Sequence, residues 1–119
     1  MARDHRKLTA FDLADELTLC VYRFTKGFPA AERFGLQAQI RRAAVSVPAN
    51  IVEGCARNGE RDYLRFLEIA FGSCRELLDL VNLSQRLGFL DTDGSSAIET
   101  LGNRTAGAIL RLRESLDRR

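Results

Sequence analysis

Hydrophobic residues along this chain recur every three or four positions in four long segments, the spacing of amphipathic α-helices. The segments run over about Leu8–Thr25, Ala31–Arg57, Gly59–Leu87 and Asp93–Asp117. Short connections between long helices force neighbouring helices to run antiparallel. The pattern therefore predicts an all-α fold, an antiparallel up-down-up-down four-helix bundle that forms a single domain over residues 1–119.

The second segment contains FGLQAQIRRAAVSVPANIVEG at residues 34–54, where a proline lies inside an otherwise regular helical stripe. Pro48 has no N–H to donate to the carbonyl of Ala44, so we expect helix two to be kinked near Pro48. Ser46 and Asn50 are close enough in sequence to satisfy the backbone groups that such a kink frees.

A row of polar residues follows one side of this second helix with the same helical spacing. Its members are Gln39, Arg42, Ser46, Asn50, Glu53 and Arg57. No histidine lies near Ser46 in sequence, and Glu53 has no evident acid partner, so the row lacks a nucleophile–base pair. We therefore interpret Gln39, Ser46, Asn50 and Glu53 as a structural polar network. The sequence predicts no enzyme, no catalytic residue and no small-molecule substrate.

Residues that favour helix ends mark the connections between the segments. The predicted caps are Gly27 after helix one, Asn58 before helix three, Gly88 after helix three, and Asp91 or Thr92 before helix four. Gly72, inside helix three, belongs to no phosphate-binding pattern. We expect it to permit close packing of a neighbouring helix.

Composition agrees with a globular chain of 119 residues, since 45% of the residues are hydrophobic and 29% are charged. No apolar run approaches the roughly 20 residues that span a bilayer, and the first residues lack the apolar core of a signal peptide. We expect a cytoplasmic protein with no membrane partner.

The cysteines Cys20, Cys55 and Cys74 are interpreted as reduced core thiols. The lone histidine, His5, lies apart from them, so no metal or other cofactor is predicted.

The basic residues are unusual in type more than in number. The net charge is only +2, but all 18 basic residues except Lys7 and Lys26 are arginine. Arginine binds phosphate through two parallel hydrogen bonds. The candidate nucleic-acid-binding residues are Arg41, Arg42, Arg57, Arg104 and Arg111, the last two continuing to Arg118 in steps of seven. The abundance of arginine is also compatible with a genome rich in arginine codons, and with a solvated face that carries local salt bridges.

Most phenylalanines lie on the core stripes, so no base-stacking aromatic residue is expected.

Four pieces of the chain resemble a known family: VYRFTKGFP at 21–29, residues 34–54, RFLEIAFGSCRELLDLV at 65–81 and LGFLD at 87–91. The chain is similar there to the small bacterial four-helix bundles encoded in intervening sequences of large-subunit ribosomal RNA genes. Those proteins are often labelled ribosomal proteins, and the accessory variability protein of diversity-generating retroelements is a distant relative. The chain departs from the pattern in lacking the tryptophan that helix one of the family often carries.

The resemblance implies a non-enzymatic homo-oligomer, commonly a pentamer, with a basic surface that binds RNA or a ribonucleoprotein. A ring would multiply the arginine patch of one protomer and concentrate its field. The alternative function is a protein–protein interaction scaffold with no nucleic-acid role. Helix three favours that alternative, because its apolar face is wide enough to contact more than one neighbour.

Overall fold

Four α-helices account for most of the computed structural model, which describes residues 3–117. The helices are α1 (Thr9–Thr25), α2 (Leu36–Cys55), α3 (Glu60–Arg86) and α4 (Thr92–Asp117). Short 3₁₀ turns precede the first two helices, at His5–Lys7 and Ala30–Glu32. The described residues include no β-strand, so the all-α prediction is confirmed.

Each helix packs against the helices before and after it, and α1 also packs against α4. The helices of the diagonal pairs, α1 with α3 and α2 with α4, lie further apart: in the described part of the chain, no Cα atom of one is within 8 Å of a Cα atom of the other. Residues 56–59 connect α2 to α3, and residues 87–91 connect α3 to α4. The predicted up-down-up-down bundle is confirmed.

The interior is formed by the helical stripes that the sequence shows. Every helix contributes fully buried aliphatic residues, among them Leu17, Ile51, Leu67 and Ile109. Burying one such side chain stabilises a fold by roughly 1.5–3 kcal/mol. All three cysteines are free and buried, which confirms that they are reduced core thiols.

The caps divide into two that the sequence predicts correctly and two that it does not. Gly88 follows α3 with φ +80°, and the Phe89 N–H donates to the carbonyl of Ser84 at 2.9 Å, the pattern of a Schellman motif. Asp91 caps α4 by accepting a hydrogen bond from the Gly94 N–H at 2.7 Å. The prediction for Asn58 is wrong, because Gly59 occupies the cap position of α3. The prediction for Gly27 is also wrong, since Gly88 alone has positive φ among the described residues.

Close helix contacts use glycines other than Gly72. A Cβ at Gly54 would lie 2.9 Å from the Cβ of Phe66, and one at Gly102 would lie 2.6 Å from Cδ2 of Leu78. A Cβ at Gly72 would meet no atom within 4 Å. The prediction that Gly72 permits close packing is therefore wrong; α2 approaches α3 at Gly54, and α3 approaches α4 at Gly102.

Pro48 lies inside α2, which continues without interruption from Leu36 to Cys55. The carbonyl of Ala44, left without its usual donor, lies 3.2 Å from the Thr18 hydroxyl of α1, which is also 2.9 Å from the carbonyl of Ala14. Asn50 donates instead to the carbonyl and hydroxyl of Ser46. Asn50 thus bonds a backbone carbonyl of this turn, as expected, but the carbonyl that Pro48 leaves without its usual donor, that of Ala44, is contacted by Thr18 of the neighbouring helix. The kink itself stays a prediction.

Thr18→Val is expected to lower the free energy of unfolding by about 1–2 kcal/mol, because it leaves the Ala44 carbonyl without a partner. The same substitution should have a much smaller effect in a Pro48→Ala background, where the new backbone N–H restores the intrahelical hydrogen bond to Ala44. Urea denaturation of the four proteins gives the coupling between the two sites. An equal loss of unfolding free energy in both backgrounds would show that the Thr18 hydroxyl does not form a stabilising hydrogen bond with the Ala44 carbonyl.

Buried thiol and phenol groups make stability sensitive to alkaline pH. Burial raises the pKa of Cys74 from 9.0 to about 11 and that of Tyr63 from 10.0 to about 12. Between pH 9 and 11 the unfolded chain has lost the Cys74 proton while the folded chain keeps it, so unfolding becomes easier as pH rises. We expect the free energy of unfolding to fall from about pH 9 upward. Cys74→Ala should make the fall in the free energy of unfolding between pH 9 and 11 less steep. The same slope in the variant and the wild type would contradict the assignment of this pH dependence to Cys74.

Candidate functional site

The five candidate arginines lie on two separate surfaces of the bundle. Arg41 and Arg42 are on α2, and Arg57 follows its end, whereas Arg104 and Arg111 are on α4. Because α2 and α4 are diagonal in the bundle, these residues do not form one continuous patch. Each group therefore has its own set of neighbours.

Arg41 is held against the end of α1. Its Nε donates to Oγ1 of Thr25 at 2.9 Å, and its guanidinium lies 4.5 Å from the ring centre of Tyr22. Gln37, one turn earlier on α2, donates to the carbonyl of Thr25 at 2.7 Å. A cation near the last carbonyls of a helix is favourable, so Arg41 braces the junction between α1 and α2.

Arg42 and Arg57 differ in how far they are already paired. Arg57 forms an ion pair with Glu53 one turn earlier, and its guanidinium lies 4.9 Å from the ring centre of Phe66. Arg42 is exposed, and no described residue forms a hydrogen bond or ion pair with its side chain. Of the two, Arg42 is the better placed to bind an external anion.

An open groove of about 720 Å³ lies between α1 and α2 beside Arg42, and we call it the α1–α2 groove. Its lining consists of Tyr22, Arg33, Phe34, Gln37, Ala38, Arg41, Arg42, Val45 and Ser46. Three of these residues are arginines and none carries a carboxylate. The groove therefore concentrates positive charge in a protein whose net charge is only +2.

Exposed aromatic rings line the α1–α2 groove. Most phenylalanines pack in or against the core as predicted, and Phe34 is an exception. Phe34 is 88% exposed and Tyr22 is 40% exposed. The guanidinium of Arg33 lies 5.4 Å from the ring centre of Phe34, within the range of a cation–π contact. The position of Phe34 in the sequence indicates its exposure. Phe34 precedes the first turn of α2, two residues before the buried Leu36, and a spacing of two places it off the apolar stripe of the helix.

The turn before α2 holds Phe34 in a defined place. The Glu32 carboxylate accepts a hydrogen bond from the Leu36 N–H at 3.0 Å and so satisfies a free donor at the start of the helix. The Gly35 N–H donates to the Glu32 carbonyl, also at 3.0 Å, and a Cβ at Gly35 would lie 3.0 Å from the Glu32 carboxylate. Backbone hydrogen bonds thus fix the residues on both sides of Phe34.

The polar row of α2 lies at the seam with α3. Ser46 and Ser73 share a hydroxyl–hydroxyl hydrogen bond of 2.7 Å, and Asn50 donates to the Ser46 hydroxyl at 2.9 Å. Glu53 pairs with Arg57, one turn further on. Gln39 lines a recess at the same seam, but its side chain forms no hydrogen bond with a described residue. The row is thus divided into a hydroxyl–amide cluster, an ion pair and a separate glutamine.

Among the described residues, the second arginine surface, on α4, lacks the aromatic lining of the α1–α2 groove. Arg104 is exposed on α4, and Arg111 lines a shallow recess with Lys7, Leu8 and Leu112 among its neighbours. No aromatic ring lines that recess in the described part of the chain. Arg118, the third member of the seven-residue spacing, lies outside the described residues.

Neither a metal site nor a membrane-spanning helix is found within residues 3–117. No group of three or more histidine, cysteine, aspartate or glutamate side chains is arranged to hold a metal ion there. None of the described helices is long and apolar enough to cross a membrane. The α1–α2 groove is therefore the candidate functional site.

Comparison with known structures supports the fold. The chain superposes with a TM-score of 0.81 on the crystal structure of a protein of unknown function from the S23 ribosomal protein family of Bacteroides thetaiotaomicron. The two are 19% identical, and the match covers 88% of this chain and 95% of the other. A comparison with curated proteins finds no significant match.

A family model settles the relationship. The model described as 23S rRNA-intervening sequence protein matches residues 6–110, a range that contains all of α1, α2 and α3 and most of α4. Neither this description nor that of the crystal structure names an enzymatic activity. The chain belongs to the family of 23S rRNA-intervening sequence proteins.

Proposed function

We propose that this protein is a non-enzymatic accessory factor of the cytoplasm that binds RNA through the α1–α2 groove. The observation that carries the proposal is the lining of the groove, which combines Arg33, Arg41 and Arg42 with exposed aromatic rings and contains no carboxylate. Arginine side chains recognise phosphate oxygens. The Glu32 carboxylate in the adjoining turn is not among the lining residues and accepts the Leu36 N–H. The family description, which names 23S rRNA, is consistent with an RNA partner.

The three groove arginines have different roles in this proposal. Arg42 is unpaired and exposed, so it is the principal phosphate contact. Arg41 is committed to Thr25 and Tyr22, so it positions the wall of the groove and contributes charge. Arg33 contributes charge and supports the ring of Phe34. Arg57, Arg104 and Arg111 stay secondary candidates, since Arg57 is paired with Glu53 and the others lie on α4.

Fluorescence anisotropy of a labelled, structured RNA tests the proposal, with the mass of the protein measured by light scattering in the same low-salt buffer. We expect a Kd on the order of 10⁻⁴ to 10⁻⁶ M at physiological salt, typical of contacts made mainly to phosphates, and tighter binding in the low-salt buffer. Absence of binding at low salt, where electrostatic attraction is strongest, would contradict the RNA-binding function.

A homo-oligomer with a protein-binding role is the second candidate function, and exposed apolar residues on α3 favour it. Ile69, Leu83 and Leu87 are 41%, 39% and 52% exposed, and their spacing places them on one side of the helix. Leu83 and Leu87 lie one turn apart and together form an exposed apolar patch, whereas Ile69 lies about four turns earlier, beyond the exposed Glu76. Exposed apolar surface marks protein contacts. Replacing Ile69 and Leu83 with serine should then lower the mass measured by light scattering, to that of a monomer if this face joins a pentamer. An unchanged mass would show that this face is not the subunit contact.

A further inference from the structure

We propose that the α1–α2 groove takes an unpaired nucleotide, whose base stacks on the ring of Phe34 while Arg42 binds the adjoining phosphate. The inference rests on the proposed RNA-binding function and names the class of RNA: single strands, loops or bulges rather than continuous duplex. Bases in a duplex already stack on each other, whereas unpaired bases are free to stack on aromatic side chains.

The exposure of Phe34 is the first observation behind this inference. A phenylalanine that is 88% exposed contributes almost nothing to the core, although burial would stabilise the fold by roughly 1.5–3 kcal/mol. Arg33 lies toward one part of the ring surface, 5.4 Å from the ring centre, and the high exposure leaves the rest of the ring open. A base stacked on the ring would complete an arginine–phenyl–base arrangement, with cation–π attraction from Arg33.

The rigidity of the turn around Phe34 is the second observation. The Arg33 N–H donates to the Ala30 carbonyl at 3.2 Å, and the Gly35 N–H donates to the Glu32 carbonyl at 3.0 Å. The Glu32 carboxylate also caps the first turn of α2. Because the backbone that carries Phe34 is already ordered, binding does not incur the entropic penalty of fixing a flexible loop.

A second arginine-backed ring in the same groove is the third observation. The Tyr22 ring is 40% exposed and has the Arg41 guanidinium 4.5 Å from its centre. Two exposed rings in one groove provide stacking surfaces for successive unpaired nucleotides, and the free guanidinium of Arg42 adds a phosphate contact. This recognition is tolerant of sequence, because every base presents a π-face.

The test compares a single-stranded oligoribonucleotide that contains 2-aminopurine with a duplex of the same sequence. Phe34→Ala should weaken single-strand binding between about fivefold and a hundredfold, the range for loss of one stacked base, and leave duplex binding unchanged. Wild type should quench the 2-aminopurine fluorescence on binding, and Phe34→Ala should not. Phe34→Tyr, which keeps a ring, should retain affinity and quenching, and Phe34→Leu, which keeps only apolar bulk, should lose both. Circular dichroism confirms that each variant is folded.

Three outcomes would overturn the inference, and they separate it from the proposed function. If Phe34→Ala leaves single-strand binding unchanged while Arg42→Glu weakens it, the groove binds RNA by charge alone, and only the stacking inference fails. If Phe34→Ala reduces the mass measured by light scattering and leaves RNA binding intact, Phe34 is a contact between copies of the chain. If neither RNA binds the wild type at low salt, the stacking inference and the proposed function both fail.

Discussion

Arg42→Glu is expected to weaken RNA binding by about tenfold to a hundredfold. The substitution removes the one groove arginine whose guanidinium has no partner among the described residues, and a charged hydrogen bond of this kind contributes roughly 1.5–3 kcal/mol. It also places a carboxylate in a groove whose lining otherwise contains none, so the RNA backbone is repelled where it was attracted. Fluorescence anisotropy at fixed salt measures the change in affinity.

Arg104→Glu is the matched control for this prediction. Arg104 is also exposed, and its replacement changes the net charge of the protein by the same amount. It lies on α4, which is diagonal to α2 in the bundle and does not line the α1–α2 groove. We expect a loss of less than about threefold, from long-range electrostatics alone. Equal losses in the two variants would mean that binding depends on overall charge and not on the groove.

Gly54→Ala is expected to lower the free energy of unfolding by about 1–3 kcal/mol, as overpacking of a close helix contact does. The added Cβ would lie 2.9 Å from the Cβ of Phe66 and 3.4 Å from the carbonyl oxygen of Tyr63. Both atoms are fixed by the backbone of α3, so rotation of a side chain cannot relieve the contact and α2 must move away. The gain of roughly 1 kcal/mol in helix propensity is too small to offset this. Urea denaturation followed by circular dichroism measures the difference.

Gly72→Ala is the control, and it is expected to raise the free energy of unfolding. Gly72 lies in the middle of α3, is exposed, and has open space where a Cβ would be added. We expect a gain of about 0.5–1 kcal/mol, because alanine favours the helix and nothing opposes it. If Gly54→Ala were as stable as the wild type while Gly72→Ala behaved as expected, the contact of α2 with α3 at Gly54 would not be close.

The helices and their order could be predicted from sequence because each depends on a repeating local pattern. The predicted and observed ranges of α1 differ by one residue at its start, and those of α3 differ by one residue at each end. Helix two is shorter than predicted, since its first turn is a separate 3₁₀ turn and Gly35 precedes Leu36. The stripe of buried residues fixes which face of each helix lies inside, and stripes of this length are a strong signal.

Features that depend on contact between helices could not be predicted in the same way. The donor for the Ala44 carbonyl comes from Thr18, 26 residues earlier in the chain, and no local spacing connects the two. Helical spacing places Gly54 on the stripe of buried residues that includes Ile51 and places Gly72 among exposed charged residues, but it does not show how closely a neighbouring helix approaches either glycine. The donor and the closeness of the contact both require the positions of atoms on a second helix.

The contacts in the candidate site could not be predicted from the helical pattern either. Arg41 and Arg42 are adjacent and identical in type, yet Arg41 is held by Thr25 and Tyr22 while Arg42 has no partner in the described part of the chain. The exposure of Phe34 follows from the turn that Glu32 and Gly35 form before α2, which the helical pattern does not specify. The sequence indicates an arginine-rich surface, and the structure identifies the groove where arginines and exposed rings meet.

The salt dependence of single-stranded RNA affinity tests the RNA-binding account most directly, measured for the wild type and for Arg42→Gln. Neutralisation of one to three phosphates by the groove arginines predicts a slope between about −0.7 and −2 for log K against log salt concentration, and loss of the Arg42 contact should make the slope shallower by about 0.7. That pair of slopes would place Arg42 on the RNA backbone. A wild-type slope near zero, or the same slope in both proteins, would contradict the claim that the α1–α2 groove binds RNA.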